Sequence, residues 1–321
     1  MTRERGPGTP GAGRVLILTL ASGERELASC RESVEVQSYM HREHRVFEDL
    51  PNKEAHDHLY RTIMENQDRF DLFLKLDADM AFADPEVLSD LVGAFEQRPG
   101  LDHLVIAVSD WMTDSRIIGA HVFSNRVRWR EHAEMLYVDP DPLFPGSKMV
   151  IEDPPRDLIF HAANPSDFQT FHFGAHRALR ASQSGRRLRD TRAHSAHLQW
   201  VYLNRVWRHF ERDGDRRLGL AILGADLVFR RQLPVTANEF GDASLRARFN
   251  DIQELTAERI RGDLVRRWGS PARRLRTWAR ALGPSRSALV VLRRLRDIVA
   301  EGVKPLLGRR PDRPEDLGGG Q

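Results

Sequence analysis

Between Val15 and Val108, short apolar runs alternate with stretches of helical periodicity, and this alternation limits the fold of the 321-residue chain more than any other feature. Val15-Leu16-Ile17-Leu18-Thr19-Leu20 is a nearly continuous apolar run, as expected of a strand covered on both faces. Ser22 and Gly23 end it, and a helix is predicted over Glu24 to Tyr39. A second strand, His44 to Glu48, is closed by Asp49-Leu50-Pro51 and followed by a helix from Lys53 to Arg69. A third strand, Asp71 to Leu76, runs into Asp77-Ala78-Asp79. Pro85 then sits just inside a third helix, where its missing N–H costs nothing, and Leu104 to Val108 is a fourth strand. The order predicts an α/β fold with a mostly parallel sheet. Right-handed crossovers place the strand C-termini on one edge, where ligands bind in such sheets.

Beyond Val108 the pattern is less regular. Strands are predicted at Arg116 to Phe123 and Leu158 to His161, with a Pro- and Asp-rich loop over Asp139 to Pro155. Helices are predicted at Asp167 to Arg180 and Ser195 to Arg212, and only helical patterns follow residue 245. The expected organisation is a disordered leader (1–13), a main domain (14–240), a basic helical extension (241–310) and a disordered tail (311–321). From Arg259 to Arg310 there are 14 Arg and one Lys against three acids, so this segment carries +12 in a chain of net +3. Leu292, Leu295 and Val299 give it an apolar face flanked by Arg293, Arg294 and Arg296. Three roles are open: packing on the main domain, peripheral contact of residues 259–310 with an anionic membrane, or nucleic-acid binding. No nucleic-acid motif accompanies the charge, so that partner is not expected. Cys30, the single cysteine, excludes an intrachain disulfide and a multi-cysteine zinc site. With no apolar targeting region near residue 1, the expected location is cytoplasmic, with contact at the inner membrane face where the basic segment binds.

The chemistry starts at Asp77 and Asp79. Strand alternation points both carboxylates the same way, at the ligand edge. Adjacent carboxylates favour a positive partner, and Mg²⁺ or Mn²⁺ takes one or two carboxylates completed by substrate phosphates. The competing reading is a loop with two solvated acids.

The context resembles glycosyltransferase family 2. Leu27, Ser33, Val34, Gln37, Ser38 and Tyr39 match that family's first-helix pattern, and "DLFLKLDADMAF" is similar to its metal-binding strand. The resemblance covers residues 15 to about 90. It implies the GT-A fold, a Rossmann-like nucleotide-diphospho-sugar transferase sandwich here carrying a helical C-terminal extension. It also implies a nucleotide-diphospho-sugar donor, a Mn²⁺ or Mg²⁺ cofactor, and a glycan, lipid-linked or small-molecule acceptor. Carried over residue by residue, the resemblance assigns Thr19 and Glu24 of the first loop, Glu48 and Asp49 after the second strand, Lys53 and Asp77 to the donor. The first loop lacks the family's Pro-x-Tyr-Asn, and the second strand lacks its Asp-Asp-x-Ser. For the metal it implies Asp77 and Asp79 with a late histidine, His161 first and His172 second. For an inverting reaction it implies a carboxylate base, with Asp153 of Glu152-Asp153 as first choice and Asp110 as competitor; both can instead be turn-capping carboxylates. Trp111, beside Asp110, is the candidate acceptor platform. Gln-x-x-Arg-Trp is absent, which points to non-processive action. The alternatives are a haloacid dehalogenase-like phosphohydrolase, a nucleotidyltransferase, and a degenerate transferase fold serving as a membrane-attached scaffold.

Overall fold

The computed structural model describes residues 13–130, 142–182, 192–283, 288 and 291–292. The expected leader, the tail from 311 and the amphipathic face around Leu295 and Val299 lie outside them. Strands β1 (Val15–Ala21), β2 (Arg42–Glu48), β3 (Leu72–Lys75), β4 (Met80–Phe82), β5 (Leu101–Asp110), β6 (Ser115–Ser124), β7 (Ser147–Ile151) and β8 (Ile159–His161) form one sheet. Its order is β2-β1-β3-β6-β5-β8-β4, with β7 also on β5. β1 pairs in parallel with β2 and β3, and β5 with β7 and β8. β6 is antiparallel to both β3 and β5, and β4 to β8, so the sheet is mixed α/β with a parallel majority.

The first half follows from periodicity. Val15 and Ile17 of β1 join one core, with α1 (Leu27–Glu35) and α3 (Val87–Glu96). Leu16 and Leu18 join the other, with α2 (Asn52–Glu65). A strand buried on both faces has no polar face to alternate, which is why its sequence is an unbroken apolar run. At about 1.5–3 kcal/mol per buried aliphatic side chain, this strand anchors both layers. Ser33 and Gln37 fasten α1 to the segment beyond β3. Ser33 Oγ accepts from Phe82 N (3.1 Å), Gln37 Nε2 donates to Asp84 O (2.8 Å), and Gln37 Oε1 accepts from Leu88 N (2.8 Å). These residues of the first-helix pattern thus hold the chain that follows the Asp77–Asp79 turn.

The second half is a helical layer with its own core: α4 (Asp167–Ser182), α5 (Arg192–Asp213), α6 (Arg216–Phe229), α7 (Ala243–Asn250), α8 (Ala257–Trp268) and α9 (Pro271–Leu282). α6 is buried on every side from Leu218 to Phe229, so it shows no amphipathic stripe. Gly174 and Gly224 let α4 and α6 touch: a Cβ at Gly174 would lie 1.6 Å from Ala221 O, and one at Gly224 2.2 Å from Phe171 O. Helices on both sides of the expected 240/241 boundary contribute to this core. Trp268 of α8 and Trp278 of α9 belong to the same core as α4–α6. Asp226 of α6, fully buried, accepts from Arg267 Nε (2.8 Å) and Trp268 Nε1 (3.0 Å). The loop expected over Asp139 to Pro155 contains β7 on the parallel edge of β5. No helix of the described residues is long and apolar enough to cross a membrane.

Candidate functional site

A cleft of about 780 Å³ opens at the C-terminal ends of β1, β2 and β3. Leu76 N donates to Leu18 O (3.0 Å) and Ala78 N to Leu20 O (3.2 Å), which keeps the chain beside β1, and a turn closed by Met80 N to Asp77 O (2.9 Å) follows, with both Asp77 and Asp79 lining the cleft. Lys75, 4 % exposed, donates from Nζ to Asp77 Oδ1 (2.8 Å) and Oδ2 (3.0 Å).

Asp79 has a different partner. The β4–β8 pairing sets Met80 opposite His161, which brings His161 Nε2 to 3.2 Å from Asp79 Oδ2. On the other side, His161 Nδ1 lies 2.7 Å from Asp110 Oδ1. Asp110 is buried at the end of β5 and its Oδ2 accepts from Thr113 N (2.8 Å) and Oγ1 (2.5 Å). Ala162 holds the left-handed conformation (φ 51°), and its N–H donates to Asp79 O (2.8 Å). Such a conformation costs a non-glycine residue roughly 1–2 kcal/mol, and here it turns the chain so that His161 stays against Asp79. Burial opposes protonation of His161, but the Asp79 and Asp110 carboxylates outweigh it and hold its pKa well above the ordinary value. Burial likewise opposes ionisation of Asp79 and Asp110, and His161 outweighs it, so both sit below the ordinary carboxylate range.

The opposite wall is α4. Gln169, His172, Phe173, His176, Arg177 and Arg180 all line the cleft, at the spacing of one helical face. Burial pushes His172 down to about 4 and His176 well below the ordinary value, so both are neutral near pH 7. The segment after α6, including a 3-10 turn at Val235–Asn238, crosses the cleft as a strap. His172 Nε2 meets Asn238 O (3.0 Å), Glu239 Oε2 accepts from Asn52 N at the start of α2 (2.7 Å), and Phe240 approaches Gly23.

Six of the sequence candidates meet here: Glu24, Asp49, Asp77, Asp79, His161 and His172. Glu24 Oε2 accepts from Ser22 N (2.6 Å); burial, reinforced by the charges of Asp79 and Asp77, pushes Glu24 up to about 7. Asp49, with φ 58°, turns the chain from β2 toward α2. The other six lie outside the cleft lining. Thr19 is fully buried, with Oγ1 2.9 Å from His44 Nε2. Glu48 pairs with Arg31 and Lys53 with Asp57, both outside the cleft lining. Asp153 is 92 % exposed and paired with Arg116, so it faces solvent and cannot reach a substrate in the cleft. Asp110 is buried beneath His161, with Oδ1 2.7 Å from His161 Nδ1, and does not line the cleft. Trp111 packs under the Arg217 guanidinium, 4.4 Å from its centroid, and does not line the cleft. His172 lines the cleft but commits Nε2 to the strap, so it is not placed as a metal ligand.

Two solved structures are similar to this chain. One is S. aureus TarS 1-349, with 11 % identity and a TM-score of 0.30 over 68 % of this chain and 82 % of that one. The other is the mannosyltransferase PcManGT from Pyrobaculum calidifontis in complex with GDP-Man and Mn²⁺, with 10 % identity and a TM-score of 0.32 over 90 % and 88 %. No protein-family model matches the chain, and no curated protein does.

Lys75, Arg177, Asn238 and Arg246 were not singled out from sequence, yet all line the cleft. Lys75 had a signal: a lysine inside an otherwise apolar strand needs a buried partner. Arg177 and Arg180 had one too, since they continue the His172/His176 spacing along α4. Asn238 and Arg246 had none, because their place depends on the path of the strap.

The donor set fits a divalent cation. Asp110 fixes the Nδ1 side of His161, as carboxylates do behind metal-bound histidines, and leaves Nε2 facing Asp79. The 3.2 Å between Nε2 and Asp79 Oδ2 suits neighbouring ligands of an octahedral ion, which at about 2.1 Å from the metal lie about 3 Å apart. Among the described residues no group of three or more His, Cys, Asp or Glu could hold a metal unaided. A cation here therefore takes its remaining ligands from substrate phosphate and water, the usual habit of Mg²⁺ and Mn²⁺.

Proposed function

We propose that this chain is a divalent-metal-dependent glycosyltransferase of the GT-A type using a nucleotide-diphospho-sugar donor. The observation that carries the reading is the Asp79–His161–Asp110 line beside Lys75–Asp77, set at the C-terminal edge of parallel strands and opening into a cleft of about 780 Å³. Asp79 and His161 would hold the Mn²⁺ or Mg²⁺. When bound, the cation supplies charge stabilisation for a departing diphosphate. Lys75 orients Asp77 and adds positive charge from beneath it. Asp110 keeps His161 in one orientation. Glu24 and Asp49 flank the end of the cleft next to β1 and β2, where the nucleoside is bound. The strap from Asn238 to Arg246 limits water access over the reacting groups. Neither Asp153 nor Asp110 is placed to take the acceptor proton.

The acceptor is a glycan, a lipid-linked sugar or a small glycosylated molecule, and action is non-processive. The exposed Arg266, Arg273, Arg276 and Arg280 of α8 and α9 support contact with an anionic membrane surface at the cytoplasmic face.

A thermal-shift screen of UDP, GDP, TDP and CMP, with and without Mn²⁺, tests the reading. One nucleoside diphosphate is expected to stabilise the fold only with Mn²⁺, by about 2.7 kcal/mol at 100 times its dissociation constant. The shift should vanish in Asp79→Asn. No Mn²⁺-dependent shift with any nucleotide overturns the proposal.

A further inference from the structure

On the α4 wall, the positive charge of Arg177 is answered by no carboxylate among the described residues. Across the cleft, Asp77 is matched by Lys75, and Asp79 and Asp110 by His161. Arg177 has no such partner. Its guanidinium lies against the rings of Phe173 (4.6 Å) and Tyr202 (5.1 Å), and its one hydrogen bond among the described residues is a long contact from Nη1 to Gln199 Oε1 (3.4 Å). Its Nε is buried without a partner. Asn238, 3 % exposed and also lining the cleft, has the His176 side chain as a polar neighbour, but neither its Oδ1 nor its Nδ2 completes a hydrogen bond of good geometry among the described residues. Burying a polar group with incomplete hydrogen bonding is costly, so both groups suit a partner brought from outside.

The charge of that partner follows from balance. The α4 face toward the cleft contains no acid, and the fields of Asp79 and Asp110 both reach Arg177. Arg177 shares the lining of this one cleft with Asp79 and His161. A nucleotide-diphospho-sugar carries two negative charges, which one divalent cation balances. It leaves the guanidinium without a counter-ion, and guanidinium groups match carboxylate and phosphate oxygens in their fork geometry.

We propose that Arg177 and Asn238 form an anion subsite on the α4 wall, which receives a carboxylate or phosphate group carried by the acceptor. This rests on the transferase reading for the word acceptor; the subsite itself stands on the cleft geometry. It narrows the acceptor to acidic or phosphorylated sugars and selects against neutral ones. Arg177 supplies the charge and Asn238 a neutral donor beside it.

The test is calorimetry on the full chain saturated with Mn²⁺ and the nucleoside diphosphate it prefers, using inorganic phosphate, glucuronate and neutral glucose as probes. Phosphate or glucuronate is expected to bind at least tenfold more tightly than glucose, and whichever binds more tightly names the source of the anion. Arg177→Met should weaken that anion at least tenfold while nucleotide–Mn²⁺ affinity stays within twofold, which also shows that the variant is folded. Asn238→Asp places a negative charge at the same wall and should weaken the anion by a similar factor; Arg177→Lys and Asn238→Asp decide the matter if Arg177→Met does not fold. Unchanged anion binding in these variants, or no preference over glucose in the native chain, overturns the subsite. Loss of nucleotide–Mn²⁺ binding in parallel with the anion also overturns it, by giving Arg177 to the donor diphosphate. If no nucleotide binds the native chain but phosphate binding depends on Arg177, the transferase reading falls and the subsite stands.

Discussion

The two walls of the cleft are built by opposite means. The strand-end wall is fixed by sheet hydrogen bonds, and its acids Asp77 and Asp79 are matched by Lys75 and His161. The α4 wall is one face of a helix held by packing, through Gly174 against Ala221 and Gly224 against Phe171, and its Arg177 has no carboxylate partner among the described residues. The difference assigns complementary tasks. A matched set of acids and bases can exchange an internal proton for a metal ion without leaving a bare charge behind. An unmatched guanidinium must wait for an anion from outside.

The contrast can be broken or sharpened by substitution. The largest effect is expected at Gly174→Val, where a Cβ would lie 1.6 Å from Ala221 O. The variant should lose about 3 kcal/mol or more in urea unfolding, and a loss under about 1 kcal/mol would mean that α4 is not seated on α6 as described. On the strand-end wall, Asp110→Asn removes the acceptor behind His161 and should weaken Mn²⁺ binding about 10–100-fold by titration calorimetry. Asp153→Asn, on the exposed surface, serves as the silent control. Equal effects of the two would remove Asp110 from its positioning role.

Glu24 gives a smaller and pH-dependent effect. Its native pKa of about 7 lies above the ordinary 4.5, so between those values the native state binds the extra proton. Its contribution to stability is therefore full below about pH 4.5, is lost as pH rises toward 7, and is constant above. Glu24→Gln should remove that slope and gain on the order of 1–3 kcal/mol relative to the native chain at pH 8, read from melts across the pH range. Identical pH profiles would sink the assignment. The smallest effects belong to Glu48→Ala and Lys53→Ala, whose ion pairs with Arg31 and Asp57 are partly exposed. Each should change stability by less than about 0.5 kcal/mol and leave nucleotide affinity untouched.

Much of the first half was legible from sequence. β1, α2 and β3 follow from apolar runs and helical spacing, and Asp77 and Asp79 both line the cleft. α6 escaped notice because a helix buried on all sides shows no stripe, and β7 because its residues lie in a stretch rich in Pro and Asp. Both Asp110 and His161 were singled out, but their relation was not visible. A carboxylate that looked like a base is the group that orients the histidine.

By itself, the sequence determined the parallel core of the sheet, because strand period and two-sided burial are local properties. The tertiary structure alone decided which of the remaining candidates face the cleft. His161 reaches Asp79 through the β4–β8 register, and Glu239 reaches Asn52 across 187 positions of chain. Contacts of that span are chosen by how the helical layer packs on the sheet, and no local periodicity encodes them.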